Sequence, residues 1–353
     1  MKGRLSKIRS LLKEQQLDAY LVTKPENRMY ISGFDGSAGM LYITEQQALL
    51  LTDFRYVEQA TEQATLFKVV QHGMPAIDTL KQVISDSKVK HIGFEANHLT
   101  VLQFEEVKHH VKGIEWIASN LDKLRRVKDE HEITILRKAA AIADEAFTHI
   151  IPLIKPGVYE RDIALELDYF MRRLGAEKNA FDFIVASGIR SALPHGVASH
   201  KTIQSGELVT LDYGCVFNHY HSDITRTVAV GNVSATLQHI YRIVGQAQQA
   251  ALQAIRPGLK CSDADKIARE IITAQGYGAN FGHGLGHGVG LAIHEEPRLS
   301  LSDDTILEPG MVVTVEPGIY VPELGGVRIE DMILITAEGC ERLVHSSKDF
   351  IKL

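Results

Sequence analysis

The chain has 353 residues, of which 45% are hydrophobic, and a formal net charge of −6. This length exceeds the size at which a single core usually stops growing, so we expect two domains. The negative charge argues against nucleic acid or an anionic membrane as the main partner, and no apolar run reaches the roughly 18 residues of a membrane span. Three widely spaced cysteines, Cys215, Cys261 and Cys340, are typical of a reducing compartment, which predicts a cytoplasmic protein.

The first third of the chain alternates between helical and strand-like patterns. Near the start, Leu5, Ile8, Leu11 and Leu12 recur at the spacing of one helix face, and charged residues interrupt the stretch too often for a signal peptide. Five short strand-like runs follow before about residue 120: DAYLV, GMLYIT, ALLLTD, FKVV and HIGFE. This alternation predicts a small α/β domain.

A charged connector then leads into a long helix. Asp129 stands where an N-cap is expected, just before the helical pattern begins. The predicted buried stripe of this helix consists of Ile135, Ala139, Ile142 and Ala146. We place the domain boundary at this connector, which gives domains of residues 1–122 and 123–353.

Two parts of the second domain resemble each other. IKPG at 154–157 recurs as IRPG at 255–258, and each is followed by a predicted helix that ends at a glycine. Further on, SGELVTLDYG is echoed by EPGMVVTVEPG, which matches Asp212 with Glu316. Any one pair could recur by chance, but several pairs in the same order at a nearly constant offset indicate two similar α+β halves that face each other.

The segment FGHGLGHGVGLAIHEEPR at 281–298 combines histidines with alternate glycines. His283 and His287 would share one face of a helix, as in a helical zinc motif. The five glycines around them would cost such a helix roughly 5 kcal/mol relative to alanine. The pattern therefore predicts an extended segment in which backbone atoms approach closely.

Four acidic residues occupy matching places in the two halves. LDYGCVFNHYHSDITRTVAV has the pattern of a hairpin, in which Asp212 and Asp223 lie symmetrically about a Phe-Asn centre and should face each other about 5 Å apart at Cβ. The second half repeats this arrangement with Glu316 and Glu330, on arms joined through PELGG. Each acid alone would be read as a solvated strand carboxylate. Four that converge would repel one another, so together they predict a cation site.

His287 is the expected fifth ligand of this site. Carboxylates with one imidazole favour harder divalent ions such as Mn²⁺ or Co²⁺, with Zn²⁺ as an alternative. Five ligands suit two ions about 3.5 to 4 Å apart, bridged by carboxylates and by a water whose pKa falls toward about 7. We therefore predict two divalent metal ions, with Mn²⁺ favoured, that activate water for hydrolysis.

These motifs resemble the "pita-bread" metallopeptidases, which include prolidase, Xaa-Pro aminopeptidase and methionine aminopeptidase. The motifs are DYG followed by D-x-T-R, then GHGVGLxxHE, VEPG and RIED, while ENRMYISGF and LTDFRY look like the N-terminal domain of the prolidase and creatinase branch. The resemblance implies an α/β N-terminal domain and an α+β pita-bread catalytic domain with an internal pseudo-two-fold duplication. It also implies a homodimer in which the N-terminal domain of one subunit caps the site of the other.

The same resemblance implies a role for each metal ligand. Asp212 would bind one metal, Asp223 and Glu330 would bridge both, and His287 and Glu316 would bind the other. Water held between the metals would attack the substrate carbonyl.

Catalytic roles are implied for two further histidines. His195 in LPHG and His294 in IHEEP look like the family histidines that contact the substrate amide and stabilise the tetrahedral intermediate. Glu316 looks like the carboxylate that moves a proton from water to the leaving nitrogen. We expect His283 to support His287 or the substrate rather than to act directly in catalysis.

Two arginines are candidate substrate-binding residues. Arg328 lies two residues before Glu330 and so on the same strand face, where it could anchor a ligand carboxylate; a surface ion pair is the alternative. Arg298 resembles the arginine that short prolidases place near the substrate C-terminus, and a surface pair with a neighbouring glutamate is the alternative.

The favoured function is a metal-dependent Xaa-Pro dipeptidase that acts on peptides with proline at the second position. A dedicated enzyme is needed because the bond before proline has no N–H for ordinary peptidases to bind. The main alternative is an Xaa-Pro aminopeptidase that acts on longer peptides. Three remoter alternatives are an inactive peptide-binding module, a creatinase-like hydrolase without metal, and a methionine aminopeptidase, which usually lacks the N-terminal domain.

Overall fold

A computed structural model of the protein describes residues 2–353. The chain separates into two compact units, one that ends at Arg125 and one that comprises Arg126–Leu353. The domain boundary after residue 122 stays a prediction. No helix within residues 2–353 has both the length and the apolar character needed to cross a membrane.

The N-terminal unit contains one mixed sheet of six strands. Its helices are α1 (Lys2–Glu14), α2 (Pro25–Ser32), α3 (Val57–Gln63), α4 (Ala76–Ser87) and α5 (Val101–His110). Its strands are β1 (Ala19–Val22), β2 (Met40–Thr44), β3 (Ala48–Thr52), β4 (Lys68–Gln71), β5 (His91–Glu95) and β6 (Glu115–Ser119). The strand order is β4-β3-β2-β1-β5-β6. The β1–β2 and β2–β3 pairs are antiparallel, and the other pairs are parallel.

The five predicted strands are all present in this unit. Strand β6 was not predicted, because this edge strand is only partly buried and lacks a long apolar run. The predicted amphipathic helix is α1, in which Leu5, Ile8 and Leu12 are buried. The spacing of apolar residues was therefore sufficient to predict the helices and strands that pack closely against the core.

The C-terminal unit contains four long helices and thirteen short strands among the described residues. The helices are α6 (Glu130–Ile150), α7 (Glu160–Arg173), α8 (Ala235–Ala254) and α9 (Cys261–Ala274). The first seven strands are β7 (Lys178–Asn179), β8 (Ile184–Ser187), β9 (Glu207–Tyr213), β10 (Cys215–Phe217), β11 (Tyr220–His221), β12 (Ile224–Val230) and β13 (Gly286–Gly288). The others are β14 (Glu295–Leu299), β15 (Val312–Val315), β16 (Gly318–Val321), β17 (Gly325–Arg328), β18 (Asp331–Ile335) and β19 (Cys340–Arg342).

Helix α6 begins as predicted. The Asp129 side chain accepts a hydrogen bond from the backbone N–H of Glu132, and the Glu132 side chain accepts one from the backbone N–H of Asp129, so the two residues form a capping box. The four residues of the predicted stripe are all buried. All three cysteines are free thiols, as expected.

The predicted internal duplication is confirmed by matching local structure in the two halves. Helices α6 and α7 of the first half correspond in order to α8 and α9 of the second. Gly157 and Gly258 both adopt the left-handed region, with φ of 90° and 87°. Their backbone N–H groups donate to Ile203 and Leu307 respectively, each at 2.9 Å.

The two halves join along β12 of the first and the β17–β18 segment of the second. The backbone N–H of Glu330 donates to the carbonyl of Thr225 at 3.1 Å, and the Thr227 hydroxyl donates to the carbonyl of Arg328 at 2.9 Å. This junction brings Asp212, which lies in β9, into one region with Asp223 and Glu330, which directly precede β12 and β18.

Candidate metal centre

The hairpin of the first half has a different register from the one predicted. Asn218 and His219 both have positive φ, 44° and 70°, and form the two-residue turn. The turn centre lies one residue further along than the sequence symmetry suggested, so Asp212 pairs with Thr225 and not with Asp223. Asp223 is instead the diagonal neighbour of Asp212. Because side chains two residues apart share a strand face, both carboxylates still lie on the same face.

The hairpin of the second half places its two glutamates opposite each other on its two arms, as predicted. Strands β15 and β18 pair Val315 with Asp331, and strands β16 and β17 pair Gly318 with Arg328. The same register continues through both pairs and sets Glu316 opposite Glu330 between them. The prediction of a hairpin through PELGG is confirmed by the β16–β17 pair.

The glycine- and histidine-rich segment is extended, as predicted from the free-energy cost of its glycines in a helix. His287 lies in β13 between two buried glycines. A Cβ at Gly286 would lie 2.0 Å from the carbonyl oxygen of Thr314, and one at Gly288 would lie 2.5 Å from that of Glu296. The glycines therefore let neighbouring strands approach on both sides of the histidine.

Three of the five predicted ligands form a compact group. One ligand atom each from Asp223, His287 and Glu330 lies within 4.8 Å of the others. Nε2 of His287 lies 3.3 Å from Oε1 of Glu316 and 3.7 Å from Oδ2 of Asp223. Nδ1 of His287 lies 3.0 Å from the carbonyl of Gly288, to which it can donate, and this bond leaves Nε2 free as a ligand.

Asp212 has a buried oxygen without a partner. Oδ2 of Asp212 accepts a hydrogen bond from Arg328, whereas Oδ1 is buried and has no hydrogen-bond partner within residues 2–353. A buried carboxylate oxygen without a donor is costly unless a cation binds it. This oxygen is therefore an independent indication of a cation site.

The electrostatics of the group point the same way. Burial, followed by repulsion from Glu330, Asp212 and Glu316, raises the pKa of Asp223 well above its usual value. Burial, followed by repulsion from Glu316 and Asp212, does the same to the pKa of Glu330. Burial also raises the pKa of Glu316. Divalent cations stabilise the ionised form of buried carboxylates that repel one another. The residues present therefore fit metal ions that take oxygen and imidazole ligands.

Two threonines support the acidic residues and were missed in the sequence. The Thr225 hydroxyl donates to Oε2 of Glu330 at 2.7 Å. The Thr314 hydroxyl donates to Oε1 of Glu316 at 3.0 Å and accepts from the backbone N–H of His287 at 3.0 Å. Each threonine stands two residues from a predicted ligand, in DIT and TVE, so strand alternation could have revealed them.

One cavity of about 1050 Å³ contains every predicted site residue. The five predicted ligands line it together with His195, His294, Arg298, His283 and Arg328. The rings of His287 and His294 lie 4.4 Å apart in an edge-on arrangement. Partial burial, together with His287 and Arg298, lowers the pKa of His294 to about 4, so its imidazole is neutral at neutral pH.

Arg328 is buried, which contradicts the alternative of a surface ion pair. Its side chain is buried, with 3% of the residue exposed, so it forms no surface pair. It binds Asp212 and donates to the hydroxyls of Tyr320 at 2.8 Å and Thr225 at 3.1 Å. The guanidinium is thus engaged with a predicted metal ligand, and a role as anchor for a substrate carboxylate stays a prediction.

His283 contacts Tyr320, and its support of His287 or the substrate stays a prediction. Nε2 of His283 lies 2.9 Å from the Tyr320 hydroxyl, and Nδ1 lies 2.8 Å from the carbonyl of Gly284. Burial lowers the pKa of His283 and raises that of Tyr320 to about 12. Tyr320 therefore links His283 to Arg328, a connection that its position in the sequence did not signal.

Arg298 is exposed in the cavity and makes no surface pair. The neighbouring glutamates have other partners, because Glu295 pairs with Lys128 at 3.2 Å and Glu296 pairs with Arg126. Within residues 2–353, the guanidinium of Arg298 makes no hydrogen bond or ion pair, whereas its backbone N–H donates to Asp303 and its carbonyl accepts from Ser300. Within the described residues, Arg298 therefore does not pair with either neighbouring glutamate.

Comparison with known proteins gives matches over both units. Residues 134–337 match the family described as metallopeptidase family M24, and residues 4–127 match the creatinase/prolidase N-terminal domain. The Xaa-Pro dipeptidase of Pyrococcus furiosus is 43% identical over 353 residues, which cover 99% of this chain and 100% of that protein.

Solved structures are similar along the whole chain. The Xaa-Pro dipeptidase from Bacillus anthracis has a TM-score of 0.98 and 47% identity, and the match covers 100% of this chain and 99% of that one. The X-Pro aminopeptidase from Thermotoga maritima has a TM-score of 0.91 and 38% identity, with 99% of both chains covered. These matches confirm the predicted fold class, an α/β N-terminal domain followed by an α+β pita-bread catalytic domain with an internal duplication.

Proposed function

This chain belongs to metallopeptidase family M24, and we propose that it is an Xaa-Pro dipeptidase that uses two divalent metal ions. The observation that carries the proposal is the group of acidic residues with one imidazole that lines a cavity with two further histidines. One buried oxygen of this group, on Asp212, has no hydrogen-bond partner in the part of the chain that the structure describes. Two relatives at or above 43% identity that match the whole chain carry the name Xaa-Pro dipeptidase.

Five residues would hold the metal ions: Asp212, Asp223, His287, Glu316 and Glu330. When bound, the ions would supply an acidified water as nucleophile and would polarise the scissile carbonyl. Hard oxygen ligands favour Mn²⁺, with Co²⁺ and Zn²⁺ as alternatives.

The residues around the ligands would orient the substrate and move protons. Hydrolysis adds hydroxide to the carbonyl carbon and a proton to the proline nitrogen, so a group must take the proton of the attacking water and deliver it to that nitrogen. Glu316 is suited to this transfer, because its Oε1 is held by Thr314 and the raised pKa of its carboxyl favours uptake of a proton.

His195 and His294 would stabilise the negative charge that develops on the carbonyl oxygen. Both side chains are exposed in the cavity, where an incoming peptide can reach them. The low pKa of His294 leaves a neutral imidazole, which can still donate one hydrogen bond to the oxygen.

Arg298 supports a dipeptidase in preference to an aminopeptidase. Its guanidinium lies in the cavity without a partner among the described residues, and it can bind the free carboxylate that follows proline in a dipeptide. A longer peptide has no carboxylate at that place. The whole-chain likeness to an X-Pro aminopeptidase keeps cleavage of longer peptides as the second candidate.

The setting of the enzyme is also part of the proposal. We propose a cytoplasmic homodimer in which the N-terminal domain of one subunit covers the site of its partner, and a domain boundary near residue 122. Support comes from the match of residues 4–127 to a creatinase/prolidase N-terminal domain and from the three free cysteines.

The proposal is tested by kinetics on an Xaa-Pro dipeptide and on the same dipeptide extended by one residue. We expect faster cleavage of the dipeptide, loss of activity after chelation, and recovery with Mn²⁺ or Co²⁺. Full activity in protein stripped of metal would contradict the metal mechanism. A clear preference for the tripeptide would assign the chain to the aminopeptidase class.

A further inference from the structure

His195 lies on an irregular segment that must be held in place by its surroundings. The segment runs from Gly188 to Ala198, between the end of β8 and the start of β9, and the His195 side chain itself is exposed. An imidazole that stabilises a developing charge has to stay within a fraction of an ångström of its position. The structure must therefore contain groups that fix this segment.

Glu160 binds both ends of the segment. It stands in the first turn of α7 and is 0% exposed. Its Oε1 accepts from the backbone N–H and the hydroxyl of Ser187, at 2.7 and 2.8 Å. Its Oε2 accepts from the hydroxyl and the backbone N–H of Ser199, at 2.6 and 3.3 Å. One buried carboxylate thus joins the residue before the segment to the residue after it.

Arg190 extends this connection to the neighbourhood of His195. Nη1 of Arg190 pairs with Oε2 of Glu160, and Nη2 donates to the carbonyl of Val197 at 2.8 Å. Val197 in turn donates its backbone N–H to the carbonyl of His195 at 2.8 Å. The carboxylate of Glu160 is therefore linked to the histidine backbone through two intervening residues.

The second half of the catalytic unit offers an internal comparison. At the duplication offset, Glu160 corresponds to Cys261, which is also 0% exposed at the start of its helix. The backbone N–H of Glu160 donates to Lys201 at 3.0 Å, and that of Cys261 donates to Thr305 at 2.9 Å. The backbone contact between helix and strand is therefore the same in both halves, with a carboxylate or a thiol at the helix position. At this helix position, the carboxylate occurs only in the half that carries His195.

We propose that Glu160 is a positioning residue for His195 and so contributes to turnover without contact with substrate or metal. This inference rests on the proposed function, in which His195 stabilises the reacting carbonyl. A glutamine at residue 160 would keep the shape of the side chain. It could not accept from both serines and pair with Arg190, because one of its oxygens becomes an NH₂ donor.

The first measurement compares Glu160→Gln with the parent enzyme on an Xaa-Pro dipeptide. We expect kcat to fall about tenfold while KM changes by less than about twofold, because a small displacement of a catalytic group affects the transition state most. Bound metal, measured by elemental analysis, should be unchanged. An unchanged kcat in folded, metal-loaded Glu160→Gln would overturn the inference.

Glu132→Gln is the matched control. Glu132 is also a glutamate in the first turn of a helix, is 2% exposed, and binds the backbone N–H of Asp129 and the Tyr220 hydroxyl. None of these partners belongs to the His195 segment. We expect kcat within about twofold of the parent, since a glutamine preserves the capping box. An equal loss of kcat in both variants would show a general effect of altering a buried glutamate, and would refute a specific role.

A double-mutant cycle separates positioning from any independent contribution. If Glu160 acts through His195, then Glu160→Gln should lower kcat by less than about twofold when His195→Ala is already present. A further tenfold loss in the double variant would overturn the inference.

Ser199→Ala is the substitute variant if Glu160→Gln does not fold, because it removes the hydrogen bond from the Ser199 hydroxyl to Glu160. We expect kcat to fall about threefold, and we expect this loss to vanish when His195→Ala is already present. An unchanged kcat in Ser199→Ala would then contradict the inference.

Failure of the proposed function would have a different signature. In that case the parent enzyme would not cleave Xaa-Pro dipeptides, or His195→Ala alone would leave kcat unchanged. Failure of the Glu160 inference leaves both of those results in place.

Discussion

In the absence of metal, replacing one acidic ligand should stabilise the protein. Asp223→Asn keeps the shape of the side chain and removes one of the negative charges that the predicted metal ions would neutralise. The nearest ligand oxygens of Asp223 and Glu330 lie within 4.8 Å of each other. Two unit charges at that separation repel by about 3.5 kcal/mol at an effective dielectric constant of about 20. Because the parent relieves part of this repulsion by taking up a proton, we expect the variant to gain about 1 to 3 kcal/mol in free energy of unfolding near pH 8.

The sign of the pH dependence follows from the pKa of Asp223. Burial and the neighbouring carboxylates raise that pKa above its value in the unfolded chain. The folded parent therefore binds the proton more tightly, and its stability rises as pH falls through the folded pKa. The advantage of Asp223→Asn should shrink over the same range. With Mn²⁺ present, the order should reverse, because the parent binds metal more tightly and is stabilised by it.

The measurement is urea unfolding of chelator-treated protein at about pH 8 and about pH 5, at constant ionic strength. Circular dichroism follows the whole chain. Fluorescence of Trp116, the single tryptophan, reports on the N-terminal unit, so a transition confined to the catalytic unit can be recognised.

Asp331→Asn is the matched control, with the opposite expected sign. Asp331 is 0% exposed and binds Arg226 at 2.8 Å and Lys348 at 2.7 Å. Burial raises the pKa of Asp331, but Arg226 and Lys348 outweigh it, so the pKa is lowered on balance. Removal of this charge leaves the buried Arg226 and the partly buried Lys348 without their anionic partner and should cost about 3 to 5 kcal/mol with or without metal. Destabilisation of metal-free Asp223→Asn near pH 8, or an advantage that does not change with pH, would refute repulsion among the acidic ligands as the cause.

The other predictions concern substrate and turnover. His195→Ala and His294→Ala should each lower kcat/KM by about 10² while bound metal stays constant, because both histidines act on the developing oxyanion. Loss of metal in parallel with activity, measured by elemental analysis, would make them ligands instead. Arg298→Ala should raise KM for Xaa-Pro dipeptides by about 10-fold or more, the equivalent of a charge-assisted hydrogen bond, and should leave tripeptides unaffected. An equal rise for both substrates in steady-state kinetics would exclude a contact with the substrate carboxylate.

Several features of this protein could be predicted from the sequence because they depend on short-range patterns. The alternate glycines around His287 excluded a helix, and the structure has an extended strand there. The capping residue Asp129 and the apolar stripe that follows defined α6. Strand alternation was sufficient to place Asp212 and Asp223 on one face, even though the predicted register was wrong. A shift of two residues leaves every side chain on the same face, so the prediction tolerated that error.

Other features depended on which elements pack together in the folded chain. The partner of Arg328 is Asp212, more than a hundred residues away, and strand alternation gave only the face on which Arg328 lies. The Glu160 carboxylate joins Ser187 to Ser199 through hydrogen bonds, and nothing in the residues near Glu160 in the sequence indicates either partner. Local sequence determines φ, ψ and the period of exposure, because these depend on neighbours along the chain. The partners of buried charges depend on the tertiary packing, because desolvated groups must bind whatever donors and acceptors the surrounding elements bring within reach.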